Sequence, residues 1–308
     1  MSYGMPYKGS KSEIVKELID NLPPGDHFYD LFGGGGSVTQ YALLSGKYKY
    51  VHYNELDPLV FKAFSMAIAG DFAVYNSFVS RDEFHALKNT DPYTALCFSF
   101  GNSFNTYLYS PYKEHWFKAL HNGYILNDWT LIDEIMPPGV LSVWHKKYFI
   151  EWLHFNTAAA MDFYGRWYRE NYDPDVTEQI PEPWRLVHLE RVNRLREMAI
   201  LRKYFHNGRL ILTNDSYDAV QLVPDAVLYC DPPYRDTGGY RFKFNHQAFY
   251  SWARKQKNIF ISEYEAPADF KLYFEINKRV LLSKDSNGKT VSEKVFTNPE
   301  YKESFVLC

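Results

Sequence analysis

An α/β fold with a parallel sheet, interrupted by a mostly helical insertion, is what this sequence predicts. Strand and helix patterns alternate over the first 70 residues, lapse over 71–205 and return over 206–308. The 308 residues are 46% hydrophobic and 23% charged, an ordinary globular balance whose length suits about two domains. The sheet domain is therefore read as residues 1–70 with 206–308, and the insertion as residues 71–205.

The elements follow in order. Ile14, Val15, Leu18 and Ile19 recur at helical spacing, which predicts a helix over 11–21 with Ser10 as its N-cap and Pro23-Pro24-Gly25 as its stop. A strand at 27–32 runs into Gly33-Gly34-Gly35-Gly36-Ser37. Then come a helix at 38–45, a strand at 48–54 and a helix at 59–69. Strand, loop, helix and strand form a βαβ unit, which requires parallel pairing. In the insertion, Pro111, Pro137-Pro138, Pro174, Pro181 and Pro183 punctuate helix-like and aromatic runs. A long helix is expected over 186–205, then strands at 209–213, 226–230, 259–262 and 293–297.

The net charge of −3 excludes a protein held to nucleic acid by bulk charge. Of three segments, only the middle one, residues 141–210 with 11 basic and 9 acidic side chains, is net positive; residues 1–140 hold 10 and 15, and residues 211–308 hold 13 and 13. Three scattered cysteines, Cys97, Cys230 and Cys308, suit a reducing cytosol and neither a disulfide framework nor a zinc site. The ten histidines have no metal spacing, so no metal is expected. No apolar run is long enough to span a membrane, and the first residues have no apolar signal core. Aromatic side chains reach 18%, which suits an aromatic core or stacking surfaces for flat ligands.

Three motifs carry chemistry. Asp30-Leu31-Phe32-Gly33-Gly34-Gly35-Gly36-Ser37 follows a strand and opens a helix, so its glycines either admit a nucleotide-like ligand to the backbone or simply make a tight turn. No Gly-Lys-Ser/Thr follows, and Val38 stands where a dinucleotide fingerprint has its third glycine. Glu55, at the end of the second strand, suits the hydroxyls of a ribose; Asp57 is a second partner or the N-cap before Pro58. Asp231-Pro232-Pro233-Tyr234 closes the apolar strand at 226–230, where open α/β sheets bind ligands. Two prolines stiffen that loop, leaving a carboxylate, a carbonyl edge and an aromatic face for a flat ring bearing an amine.

Together these motifs resemble the Dam-like, or alpha-class, S-adenosylmethionine-dependent DNA adenine-N6 methyltransferases. Tyr7-Lys8-Gly9-Ser10-Lys11 is similar to the family's N-terminal cofactor motif, and Asn54-Glu55-Leu56-Asp57 to its acidic segment, with Glu for the usual Asp. Asn214-Asp215-Ser216 is similar to the motif whose carboxylate holds the cofactor's adenine amine, and 261–264 and 291–298 resemble its C-terminal strands. The resemblance covers about residues 5–70 and 205–300. It implies a Rossmann-like methyltransferase sheet and S-adenosyl-L-methionine as cofactor. Tyr7, Lys11, Phe32, Gly33, Gly34, Gly35, Gly36, Ser37, Glu55, Asp57, Asp215 and Asp231 are then expected around the cofactor, with Asp231, Pro232, Pro233 and Tyr234 at the target amine. It further implies double-stranded DNA as partner, a bacterial or phage-infected cytoplasm and, in a restriction–modification setting, a companion endonuclease.

No family motif anchors the insertion, so its DNA contacts are read from charge: Lys146, Lys147, Arg166 and Arg169, interleaved with aromatic residues, suit phosphates and base edges or simply a solvated face. Arg191, Arg194 and Arg202 could share a helix face, with Glu190 and Glu197 as neutralising neighbours. The alternatives are an amino-methyltransferase acting on RNA adenine or DNA cytosine, and a non-catalytic nucleic-acid-binding protein of the same fold.

Overall fold

The computed structural model describes residues 2–102, 104–138, 146, 148–234, 243–279 and 290–301; Lys147 and Cys308 lie outside these. The chain divides into two compact units, residues 1–73 with 194–308 and residues 74–193.

The first unit is built on seven strands: β1 (Gly25–Asp30), β2 (Tyr48–Asn54), β3 (Leu210–Thr213), β4 (Val227–Cys230), β5 (Ile259–Glu263), β6 (Lys271–Arg279) and β7 (Thr290–Thr297). Their order is β3-β2-β1-β4-β5-β7-β6. β7 runs antiparallel to both neighbours, and the remaining neighbouring pairs are parallel. This is a Rossmann-like α/β sheet. The strand order reverses between β1 and β4, so the ends of these two strands diverge into a crevice where a ligand can enter.

Side-chain alternation divides the β1 core between two faces. Tyr29 and Leu31 pack with Leu228, Cys230, Ile259 and Ile261 beneath the helix His246–Ala253, which contributes Phe249, Tyr250 and Ala253. On the other face Phe28 stacks on Tyr48, with ring centroids 4.6 Å apart. Full burial of each such ring contributes roughly 1.5–3 kcal/mol. Helix α1 (Val15–Asn21) begins later than the spacing predicts, because residues 11–14 form a turn in which the Ile14 amide donates to the Lys11 carbonyl. Ser10 therefore does not cap it; its hydroxyl accepts from the Ser12 amide instead. Helix α2 (Ser37–Ser45) follows the glycine loop, and α3 (Pro58–Ala69) follows β2.

The single helix expected over 186–205 is broken into a helix at Val187–Glu197, a 3₁₀ turn at Met198–Leu201 and a short helix at Arg202–His206. The break lets Arg196 reach the Phe72 carbonyl and Arg202 reach the Ile68 and Ala69 carbonyls at the end of α3.

Among its described residues the second unit is helical, with Ser99 and Tyr107 forming an isolated bridge. Pro92 and Pro111 do not interrupt helices but start them, behind Asp91 and Ser110, whose side chains cap the Pro92–Cys97 and Pro111–Leu126 helices. Tyr93, Phe98, Trp116 and Tyr164 are fully buried here, so much of the aromatic content is core. No described helix is long and apolar enough to cross a membrane.

Candidate active site

The ends of β1, β2, β3 and β4 meet around a cleft in the first unit, and backbone pairing sets their spacing. The Leu31 amide donates to the Tyr229 carbonyl at 3.0 Å, and the Gly33 amide to the Asn54 carbonyl at 2.7 Å. Asn54 then ties three strand ends together: its Nδ2 donates to the carbonyls of Leu31 and Asp215, both at 3.0 Å, and its Oδ1 accepts from the Asp215 amide. Asn54 lay within a motif read for Glu55, and its own role had no signature in the sequence.

The glycine loop is shaped by rings as much as by ligand access. A Cβ at Gly33 would lie 2.2 Å from the Tyr53 ring, and one at Gly36 only 2.1 Å from Phe64. Gly34 and Gly36 also have φ of 47° and 71°, where a side chain is strained. Tyr53 donates its hydroxyl to the Gly34 carbonyl at 2.8 Å. Any of these substitutions would displace the loop.

The cleft has two connected parts, which share Tyr7, Phe32, Glu55 and Pro233. One is aromatic and acidic: Leu31, Phe32, Leu56, Tyr217 and Phe244 line it, with Asp57 and Asp215 among the polar walls. Phe32 stacks on Tyr217 at 5.5 Å. The other is walled by Lys11, Asp30, the glycine loop, Ser37, Tyr229 and Asp231. Aromatic walls beside carboxylates in one part, and further acids beside the glycine loop in the other, suit a flat ligand that carries hydroxyls and positive charge. Glu55 accepts the Gly34 amide on one oxygen and the Asp57 amide on the other, both at 2.8 Å. Burial raises its pKa to about 7, against the lowering effect of those amides. Asp57 faces the cleft but its Oδ1 is the N-cap of α3, accepting from the Leu59 amide at 2.9 Å.

At the far end, Asp231 follows β4. The Lys11 ammonium lies 2.8 Å from its Oδ1 and 2.7 Å from its Oδ2, 2.9 Å from the Tyr234 hydroxyl and 3.3 Å from Glu293. Lys11, expected around the cofactor, lines the glycine-loop part of the cleft but directs its charge at Asp231. Burial alone would lower the pKa of Lys11, but the Asp231 and Glu293 carboxylates outweigh it and the pKa is raised. Burial raises the Asp231 pKa to about 6, with Lys11 opposing and Glu293 assisting. Pro232 is buried and Pro233 holds His246 through its carbonyl at 2.8 Å, so the loop is anchored on both sides. Sequence reasoning assigned no role to Glu293, although it lies within 291–298.

Asp30, only 1% exposed, accepts both the Thr39 amide and the Thr39 hydroxyl on Oδ2. Burial raises its pKa to about 7. A carboxylate raised in the fold above its unfolded value favours folding fully below about pH 4 and loses that contribution as pH rises through about 7. Asp30→Asn keeps an acceptor for both Thr39 donors, so its Tm relative to the wild type is expected to be higher at pH 8 than at pH 5. An equal difference at both pH values in paired calorimetric scans would show that Asp30 is not held protonated.

In the second unit, Lys146 pairs with Asp133, and Arg166 lies 3.1 Å from Asp162. Arg169 lies beside Gly165, and Lys147 is outside the described residues. Of the two glutamates read as neutralising neighbours, Glu197 acts on Arg194, opposing the lowering of its pKa by burial. Arg191 caps the carbonyls of Cys97 and Ser99, Arg194 those of Tyr3 and Gly4, and Arg202 the end of α3. Glu190 pairs with Arg185.

Residues 7–77 match the sequence model of the D12 class N6 adenine-specific DNA methyltransferase family. Over that stretch, which contains the glycine loop and Glu55, the chain is similar to this family, in agreement with the Dam-like resemblance of its motifs. The match supports a methyltransferase of adenine N6 in DNA. Asp231–Tyr234 lie beyond the matched residues. No curated protein matches the chain significantly.

Proposed function

We propose that this chain, similar over residues 7–77 to D12 class methyltransferases, moves a methyl group from S-adenosylmethionine to the exocyclic N6 amine of adenine at specific sites in double-stranded DNA. The observation that carries this reading is the position of Asp231: a carboxylate on a rigid Pro-Pro loop, opening on the cleft that the glycine loop and Glu55 also line. The bound sulfonium supplies an activated methyl. Glu55 and Asp57 face the ribose, Asp215 the cofactor's adenine amine, and Tyr7, Phe32 and Gly33–Ser37 the remaining walls. Lys11 orients Asp231.

The target adenine leaves the stack to reach this cleft. Its amine lone pair is delocalised into the ring and is a poor nucleophile. Asp231 and the Pro232 carbonyl accept hydrogen bonds from the two amine N–H groups and return electron density to nitrogen, while Tyr234 holds the ring plane. As the N–C bond forms, the methyl–sulfur bond would break and leave a neutral thioether, and the methylated amine would lose one proton through Asp231 to water, so that no covalent enzyme intermediate is required. The protein's contribution is alignment and electrostatics.

A panel of duplex DNA, single-stranded DNA and RNA of one adenine-containing sequence, each incubated with methyl-labelled cofactor, tests the substrate class. Label should enter duplex DNA. Preferential labelling of RNA would replace this reading by the RNA alternative.

Residues 71–205 are proposed to recognise the DNA. The Lys146 and Arg166 ion pairs are solvent-exposed, and such pairs are worth about 0–1 kcal/mol, so a phosphate can replace the carboxylate. Replacing Lys146, Arg166 and Arg169 together by Ala is expected to weaken DNA binding and to lower the slope of log K against log salt by about 0.9 per lost phosphate contact. Cofactor affinity should stay unchanged. An unaltered salt slope in the triple variant would move the DNA contacts elsewhere.

A further inference from the structure

We propose that Glu293 is a positioning residue of the methyl-transfer site: it receives the Tyr234 hydroxyl and, with Lys11, fixes the ring and the Asp231 carboxylate against the target base. The inference rests on the functional reading above.

The donor and acceptor arrangement carries it. The Tyr234 hydroxyl donates to Glu293 Oε1 and accepts from Lys11 Nζ at 2.9 Å, with the Asp231 carboxylate as a second acceptor beside it. The Lys11 ammonium has three protons, and around it stand Asp231, Tyr234 and Glu293. Side-chain exposure is 8% for Lys11 and 13% for Glu293, so water competes poorly for these bonds. The Tyr264 ring meets Tyr234 edge-on at 4.7 Å. The phenol is thus held by its hydroxyl through Glu293 and Lys11, and along its ring by Tyr264.

Stability does not explain the arrangement. A second carboxylate beside Asp231 adds like-charge repulsion and desolvation, and one ammonium cannot neutralise both. An apolar residue on β7 would fill the space without that repulsion. What Glu293 adds is a fixed acceptor that selects one orientation of Tyr234. Pairing places it: β7 is antiparallel to β5, and Lys294, the next residue, stands opposite Glu263 at the end of that strand.

Glu293→Ala and Glu293→Gln in the full chain test the proposal. Glu293→Ala should lower kcat about tenfold or more while cofactor affinity stays within about twofold. Glu293→Gln retains an acceptor for the Tyr234 hydroxyl and should recover most of the rate. Having lost the like charge, it should also shift the acid limb of the kcat profile to lower pH. A merely structural role would give neither the rescue nor the shifted limb. Wild-type kcat in Glu293→Ala, beside an inactive Asp231→Asn control, overturns the role of Glu293 alone. An unimpaired Asp231→Asn overturns the reading of the whole site.

Discussion

Asp231→Asn is expected to lower methyl transfer roughly 100- to 1,000-fold, about 3–4 kcal/mol of transition-state stabilisation, while cofactor affinity changes little. Asn keeps the shape of the side chain and an acceptor for Lys11, which lies 2.8 Å from Oδ1 and would otherwise be left buried beside Glu293. What it loses is the negative charge facing the amine. The charge acts as positive charge develops on the attacking nitrogen, so the loss should fall on kcat. The same dependence has a pH signature. Burial holds the Asp231 pKa at about 6, so transfer should fall as pH drops through that value and the carboxylate becomes a hydroxyl donor. A variant within tenfold of wild type, or a rate flat from pH 5 to pH 8, would remove Asp231 from the chemistry.

The second large effect concerns the cofactor. Glu55→Ala and Asp215→Ala should each remove a charge-assisted hydrogen bond of roughly 1.5–3 kcal/mol, or about 10- to 150-fold in S-adenosylmethionine affinity. Glu55 should be the more sensitive position, because it also accepts the Gly34 and Asp57 amides and so fixes the loop. Calorimetric titration separates the two contributions. Unchanged affinity in both variants would show that the aromatic and acidic part of the cleft is not the adenosine site.

Local pattern made the sheet legible where a strand was bounded on both sides. β2 occupies the residues that the pattern predicts, because a chain reversal at Gly46 and the Asp57-Pro58 helix start leave it little choice. β6 had no such signal. Its sequence, Lys-Leu-Tyr-Phe-Glu-Ile-Asn-Lys-Arg, is polar at intervals, as suits a strand at the sheet edge. The candidate site was readable where one peptide carries the chemistry, as in Asp231–Tyr234 and the glycine loop. It was opaque where a role depends on residues far apart. Lys11 meets Asp231 across 220 positions, and Asn54 meets Asp215 across 161. Arginine spacing was incomplete for the same reason: Arg191 and Arg194 also donate to carbonyls more than 90 positions away, and no spacing rule anticipates them.

The central claim is that Asp231 presents an adenine amine to the cofactor's methyl group. Duplex DNA incubated with the protein and isotopically labelled S-adenosylmethionine, then digested to nucleosides and resolved by mass spectrometry, tests it most directly. The account predicts labelled N6-methyldeoxyadenosine from the wild type and almost none from Asp231→Asn. Label on deoxycytidine, or equal label from both proteins, would contradict it.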